Sequence, residues 1–139
     1  MPRTERVVRD FLARQRAMYL GGRLESVTDL LAPDVVWHVP GTSPIAGDHA
    51  GREAVLAYFR RRRELCGATL TITERGHVTY DDTYLALADG WATLGGAQRS
   101  WRTAGVYRVA EGRVAEAWLV PADLAAFDAA WSVAPCRPL

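Results

Sequence analysis

His38 is the side chain in this sequence best placed to move a proton. It stands near the end of an apolar run, DVVWHV from Asp34 to Val39, and Pro40, Gly41, Thr42, Ser43 and Pro44 follow as a proline-stiffened turn. An imidazole with a reference pKa near ~6.5 takes and returns a proton close to neutral pH. Carried to a strand end and held by a rigid turn, it suits general acid or base work; the plainer alternative is a histidine that only hydrogen-bonds across the core. Asp123 is the second candidate. It follows Pro121 at the head of a short amphipathic segment, where a carboxylate can assist or orient the imidazole, or can simply cap a helix by accepting its loose backbone N–H groups.

Periodicity supplies the elements that must position these groups. Apolar residues at helical spacing (Val7, Val8, Phe11, Leu12, Met18, Tyr19) predict a first helix over residues 4–19, stopped by Gly21 and Gly22. A shorter helix carries Leu24, Val27, Leu30 and Leu31 and ends at Pro33. The strand ending at His38 and Val39 comes next, then the turn, then a helix opening near Gly51 with Val55, Leu56 and Phe59 on one face.

Beyond that helix the pattern changes to alternation. Over residues 69–80, Leu70, Ile72, Val78 and Tyr80 fall on one face and Thr71, Thr73, Arg75, His77 and Thr79 on the other, with a bulge expected at Gly76. Strands follow over 83–94, 99–109 and 113–120, the last two joined by Ala110, Glu111 and Gly112, so the four make a meander. A short helix over 122–131 carries Leu124, Phe127 and Trp131, and a loose tail is expected from 132 to 139.

Composition narrows the classes. At 139 residues and 49% hydrophobic, the chain is long enough to bury a core of its own, so one domain over 1–139 suffices. A formal charge of +1 argues against a dedicated nucleic-acid or anionic-membrane surface. No run approaches the ~18 consecutive apolar residues of a membrane span, and the charged N-terminus is not signal-like, so a cytoplasmic protein is expected. All seventeen basic residues are Arg, which excludes a lysine Schiff base and with it pyridoxal chemistry. Cys66 and Cys136 lie too far apart for metal-ligand spacing, His38, His49 and His77 have none either, and no phosphate-binding glycine loop follows a strand. No metal and no cofactor are therefore expected. The run Arg60, Arg61, Arg62, Arg63 sits in the last turns of a helix, where it reads as a solvated end that complements the helix dipole.

The stretch around His38, with its loop GTSPIAG from Gly41 to Gly47 and the helix after it, resembles the SnoaL-like polyketide cyclases and the ketosteroid isomerases, over nearly the whole chain. The resemblance implies an α+β fold of the cystatin-like or nuclear-transport-factor-2-like kind: a strongly curved, mostly antiparallel sheet forming a cone, with N-terminal helices packed over a deep pocket. His38 matches the general-base Asp of the isomerases. The segment EAWLVPAD, Glu116 to Asp123, is similar to the cyclase segment in which a catalytic Asp follows a Trp-containing strand. Departures matter too. The strand position that supplies an oxyanion-stabilising acid in isomerases is Gly105 here, and the helix-one Tyr falls near Gln15, with Tyr19 one turn away. Without that pair the oxyanion of a dienolate is unsupported, which argues against a ketosteroid isomerase.

Gly105 in place of an acid leaves room. Trp101, Thr103 and Tyr107 share its phase, and with Trp91, Trp118, Tyr19 and Phe59 they are expected to form a wide aromatic wall for a flat or polycyclic substrate. The reading that results is a cofactor-independent cyclase or isomerase with His38 and Asp123 as catalytic pair. One alternative is an epoxide hydrolase of the limonene-epoxide-hydrolase type, built on Arg99, Arg102 and Asp123 with His38 or Asp89 as the second group. The other is a non-catalytic small-molecule binder. A homodimer is implied by the resemblance, paired through the open sheet face.

Overall fold

Apolar stripes at a 3.6-residue period make the two long helices, and one polar residue interrupts each stripe. In the computed structural model, which describes residues 2–133, α1 (Arg3–Tyr19) buries Val8, Phe11, Gln15, Met18 and Tyr19. Gly21, at φ +113°, and the Gly22 N–H, which donates to the Ala17 carbonyl at 2.9 Å, turn the chain out of it. The second helix is a 3₁₀ helix, Leu24–Leu30, and the first strand begins at once as β1 (Leu31–Val39). Pro33 therefore does not end a helix. It stands exposed inside β1, where the register slips between Leu31 and Val36 and its missing N–H leaves no ladder bond unmade.

The expected loop after His38 contains a strand, β2 (Gly47–Ala50), paired antiparallel to β1 through His38↔Asp48 and Trp37↔His49. Four residues without apolar alternation leave no strand signal. α2 (Arg52–Cys66) follows, burying Val55, Tyr58, Phe59, Arg62, Leu65 and Cys66, and ends at Gly67 in the left-handed conformation. Then comes the meander: β3 (Thr71–Tyr80), β4 (Thr83–Leu94), β5 (Ala97–Ala110) and β6 (Arg113–Pro121), before α3 (Leu124–Trp131). Positive φ at Gly95 and Gly96, and again at Glu111 and Gly112, matches the paired left-handed residues of tight hairpin turns. The expected tail lies almost wholly in 134–139, outside the described residues.

The six strands form one curled, unclosed sheet in the order β2-β1-β6-β5-β4-β3, antiparallel except where β1 lies parallel to β6. Inside the curl, Trp37 anchors an aromatic core: Phe59 meets it edge-on at 5.1 Å, with Phe11 at 5.7 Å and Tyr107 at 5.9 Å between centroids. The bulge expected at Gly76 is present, with the register shifting between Glu74 and Gly76. Its consequence reverses the expected outer half of β3. His77 stacks on inward-facing Tyr84 at 5.2 Å, whereas Val78 and Tyr80 are 63% and 77% exposed. Among the described residues no helix is long and apolar enough to cross a membrane.

Candidate functional site

A narrow, partly open cavity lies between the helices and the inner face of the sheet. α1 gives it Leu12, Gln15 and Arg16, α2 gives Arg62, and β1 gives Trp37. The sheet wall is Ile72 and Glu74 of β3, Ala86, Ala88 and Gly90 of β4, Trp101, Thr103, Gly105 and Tyr107 of β5, and Leu119 of β6. The expected phase of β5 therefore holds: Trp101, Thr103, Gly105 and Tyr107 all face inward.

The expected width does not hold. The cavity measures about 60 Å³, room for about four to six waters, where drug-sized ligand pockets run to ~300–1,000 Å³. Two rings take the space that glycines open. A Cβ at Gly105 would stand 2.6 Å from the Tyr107 hydroxyl, and one at Gly90 would stand 2.3 Å from the Trp101 indole nitrogen. Each glycine seats an aromatic ring against the sheet, so the room at Gly105 is occupied by Tyr107. A compact, single-ring ligand fits the scale of this cavity; a polycyclic one needs its walls to move.

Arg16 on this wall is exposed and Thr103 is half-buried; Arg62, Gln15, Glu74 and Tyr107 define the chemistry of the interior. Arg62 is 3% exposed, although the arginine run around it reads as solvated. Its position explains this: 62 continues the 55, 58, 59, 65, 66 stripe of α2, so the helix carries the guanidinium inward whatever its charge. It lies over Trp131 at 4.8 Å, Tyr19 at 5.2 Å and Tyr58 at 5.6 Å from the ring centroids. Its Nη1 donates to the Tyr19 hydroxyl at 3.3 Å, and its Nε has no partner. No carboxylate lies within 4 Å of it among the described residues. Removing such a cation from water costs several kcal/mol, and contacts with three rings, at ~1–2 kcal/mol each when desolvated, offset part of that. Burial disfavours the charge, but the phenols of Tyr19 and Tyr58 hold its pKa above the ordinary arginine value.

Gln15 is the helical counterpart on α1. It is buried in the stripe formed by Val8, Phe11, Met18 and Tyr19. Glu74 reaches the cavity from β3, with Oε1 accepting from the Tyr84 hydroxyl at 2.6 Å and lying 3.3 Å from His77 Nδ1; His77 Nε2 lies 2.7 Å from Glu5. Glu74 Oε2 has no hydrogen bond among the described residues. Burial raises the Tyr107 phenol, with the nearby Tyr58 and Glu74 adding to the rise and Arg62 opposing it, so it stays a neutral hydroxyl. Burial first, and then the bond to Glu74, does the same for Tyr84.

The structure does not bring His38 and Asp123 into this cavity. His38 points to the outer face of the sheet, because strand side chains alternate and Trp37 takes the inward position. There His38 Nδ1 donates to Asp48 at 2.7 Å, Nε2 donates to Glu116 at 2.7 Å, and the ring stacks on Trp118 at 5.4 Å. A carboxylate on each ring nitrogen favours the imidazolium, the form in which both nitrogens donate. Desolvation opposes that charge, but the two carboxylates outweigh it and raise the His38 pKa above its ordinary value.

Asp123 is exposed and caps α3, accepting from the Ala126 N–H at 3.0 Å. Trp91 and Trp118 also lie outside the cavity, Trp91 being 39% exposed. Tyr19 and Phe59 are buried behind it and support Arg62 and Trp37 rather than line it. The residues of the hydrolase alternative scatter as well: Arg102 is exposed and pairs with Asp89 at 3.6 Å, and Arg99 donates to the Leu94 carbonyl. Sequence reasoning overlooked Gln15, Trp37, Arg62 and Glu74, although the first and third sit at core positions of their helical stripes.

The model of the SnoaL-like domain matches residues 8–117. Among solved structures, the chain is similar to Bal32a from a soil-derived mobile gene cassette, with 30% identity over 94% of this chain and 99% of that one, at a TM-score of 0.82. It shares its fold with an NTF2-like protein of unknown function from Burkholderia pseudomallei K96243 (20% identity, 96% and 100% of the two chains, TM-score 0.80). It also shares it with TerC, co-crystallised with polyporic acid (15% identity, 87% and 95%, TM-score 0.73). Comparison with curated protein sequences gives no match.

Proposed function

The chain belongs to the SnoaL-like domain family, and from that premise we propose that it is a cofactor-independent acid/base enzyme of the cyclase or isomerase type, acting on a compact hydrophobic small molecule. The observation that carries this is Glu74. It is a carboxylate with one oxygen fixed by Tyr84 and the other unengaged among the described residues, on the wall of a cavity that also holds a buried cation. Glu74 removes a proton from carbon beside a carbonyl group, and the electron pair moves onto the carbonyl oxygen. The Tyr107 hydroxyl supplies a donor for that oxygen. The proton returns to a different atom of the same intermediate, so no net oxidation occurs.

The test is deuterium exchange in D2O, followed by NMR, on a panel of single-ring enones and 1,3-dicarbonyl compounds, each with and without a ring carboxylate. The wild type should exchange the acidic carbon position faster than buffer, and Glu74→Gln should lose ~100-fold or more of that acceleration while remaining folded. Exchange at the buffer rate across the panel would move the assignment to a non-catalytic binder. TerC, which shares this fold and was co-crystallised with polyporic acid, is consistent with small-molecule binding in this fold.

We also propose a homodimer that pairs through the outer sheet face. Leu87, Ala104 and Val120 are in register across β4, β5 and β6, and Leu87 and Val120 are 53% and 51% exposed. Sedimentation of the wild type beside Val120→Arg should show a dimer that the variant loses.

A further inference from the structure

We infer that the Arg62–Gln15 end of the cavity is a subsite for a carboxylate carried by the ligand itself. The proposal takes from the preceding section that this cavity binds the substrate, and it does not depend on the chemistry assigned to Glu74. Its basis is an unbalanced inventory. A guanidinium has five N–H donors, and Arg62 places one of them, at 3.3 Å, on a neutral hydroxyl. Three aromatic faces stabilise the cation but accept no in-plane hydrogen bond. The Gln15 side chain, on the wall of the same cavity and 4% exposed, makes no hydrogen bond among the described residues. Two buried polar groups on two different helices thus face one cavity with donors to spare.

The charge inventory agrees. Of the charged groups on its wall Arg16 is exposed; of the two inside, Glu74 is engaged by Tyr84 and makes no hydrogen bond with Arg62, so the Arg62 charge has no counter-ion in contact. Water could accept these hydrogen bonds, yet it would leave the charge unmatched. A carboxylate does both, since its two oxygens fit the planar fork of an arginine side by side. An anion that forms only during a reaction would leave the cation uncompensated in the bound complex, so the structure favours a ligand already ionised on arrival. Trp37, Trp101, Tyr107, Ile72 and Leu119 complete an apolar wall, and a volume of about 60 Å³ limits the remainder to about one ring.

Isothermal titration with benzoate, benzamide and inorganic phosphate tests this on the intact chain. Wild type should bind benzoate at least tenfold more tightly than its neutral isostere benzamide, and more tightly than phosphate. Arg62→Met, close in length and apolar, should abolish that preference while leaving benzamide binding within about threefold. If Arg62→Met does not fold, Arg62→Lys keeps the charge without the fork and should weaken benzoate selectively. Equal affinity for benzoate and benzamide in the wild type overturns the subsite, as does a benzoate preference that survives in Arg62→Met. Phosphate binding as tightly as benzoate overturns it too, by showing a general anion hole. Benzoate selectivity without deuterium exchange on any carbonyl compound would leave the subsite standing and refute the enzyme; exchange on neutral ketones with no benzoate preference would do the reverse.

Discussion

Two clusters of titratable groups stand back to back on this sheet, joined through one strand. On the outer face, His38 is held between Asp48 and Glu116 and stacked on Trp118, every donor matched by an acceptor. On the inner face, one residue away at Trp37, the cavity holds Arg62 and Gln15 with donors left over and Glu74 with an oxygen left over. The outer cluster looks more like an active site when residue types alone are considered, because it contains the imidazole. It is nonetheless chemically satisfied, whereas the inner one is not. Unspent hydrogen-bonding capacity on a buried wall is a better guide to ligand chemistry than the presence of histidine.

Substitutions on the two faces should separate accordingly. The largest effect is expected at the partition itself. Trp37→Ala removes a ring packed against Phe11, Phe59 and Tyr107, and should lower stability by ~3–5 kcal/mol in urea unfolding. A loss under about 1 kcal/mol would mean that the inner wall is not close-packed. Next comes chemistry: Glu74→Gln should reduce carbon-acid exchange ~100-fold or more, while His38→Gln stays within about twofold of wild type. The opposite ranking would return the active site to the outer face.

Asp123→Ala should cost ~1 kcal/mol through loss of the cap on α3, measured by thermal melting, with exchange activity unchanged. The smallest effect tests the outer cluster by pH. Since the folded His38 pKa is raised, the stabilisation from its carboxylates is fully present below the unfolded value near ~6.5 and fades as pH rises through the folded value. Wild type should therefore exceed His38→Gln in stability at pH 6 by more than at pH 9. The difference should be under ~1 kcal/mol, because Asp48 is largely exposed. An advantage that grows toward alkaline pH would mean that the imidazole is neutral in the folded protein.

Much of this architecture is written locally. The 3.6-residue stripes place α1 and α2, alternation places the four meander strands, and Gly95-Gly96 and Glu111-Gly112 mark their turns. The inward phase of Trp101, Thr103, Gly105 and Tyr107 follows from alternation alone. Even Arg62 and Gln15 were locatable in principle, since helical geometry aims a side chain by its position and not by its polarity. Neither β2, too short to show a pattern, nor the far half of β3 could be placed so, because the bulge at Gly76 shifts its phase by one residue.

By itself, then, the sequence determined the order and kind of all elements but β2, and the family to which they belong, because these follow from short-range periodicity and turn chemistry. Only the tertiary structure decided which titratable groups share a space. That depends on the curl of the sheet and on partners brought together by folding: Asp48 and Glu116 meet His38 on the outer face, and Tyr19, Tyr58 and Trp131 enclose Arg62. A side chain's chemistry is set by neighbours that only folding brings together, and here folding buried the arginine and left the histidine outside.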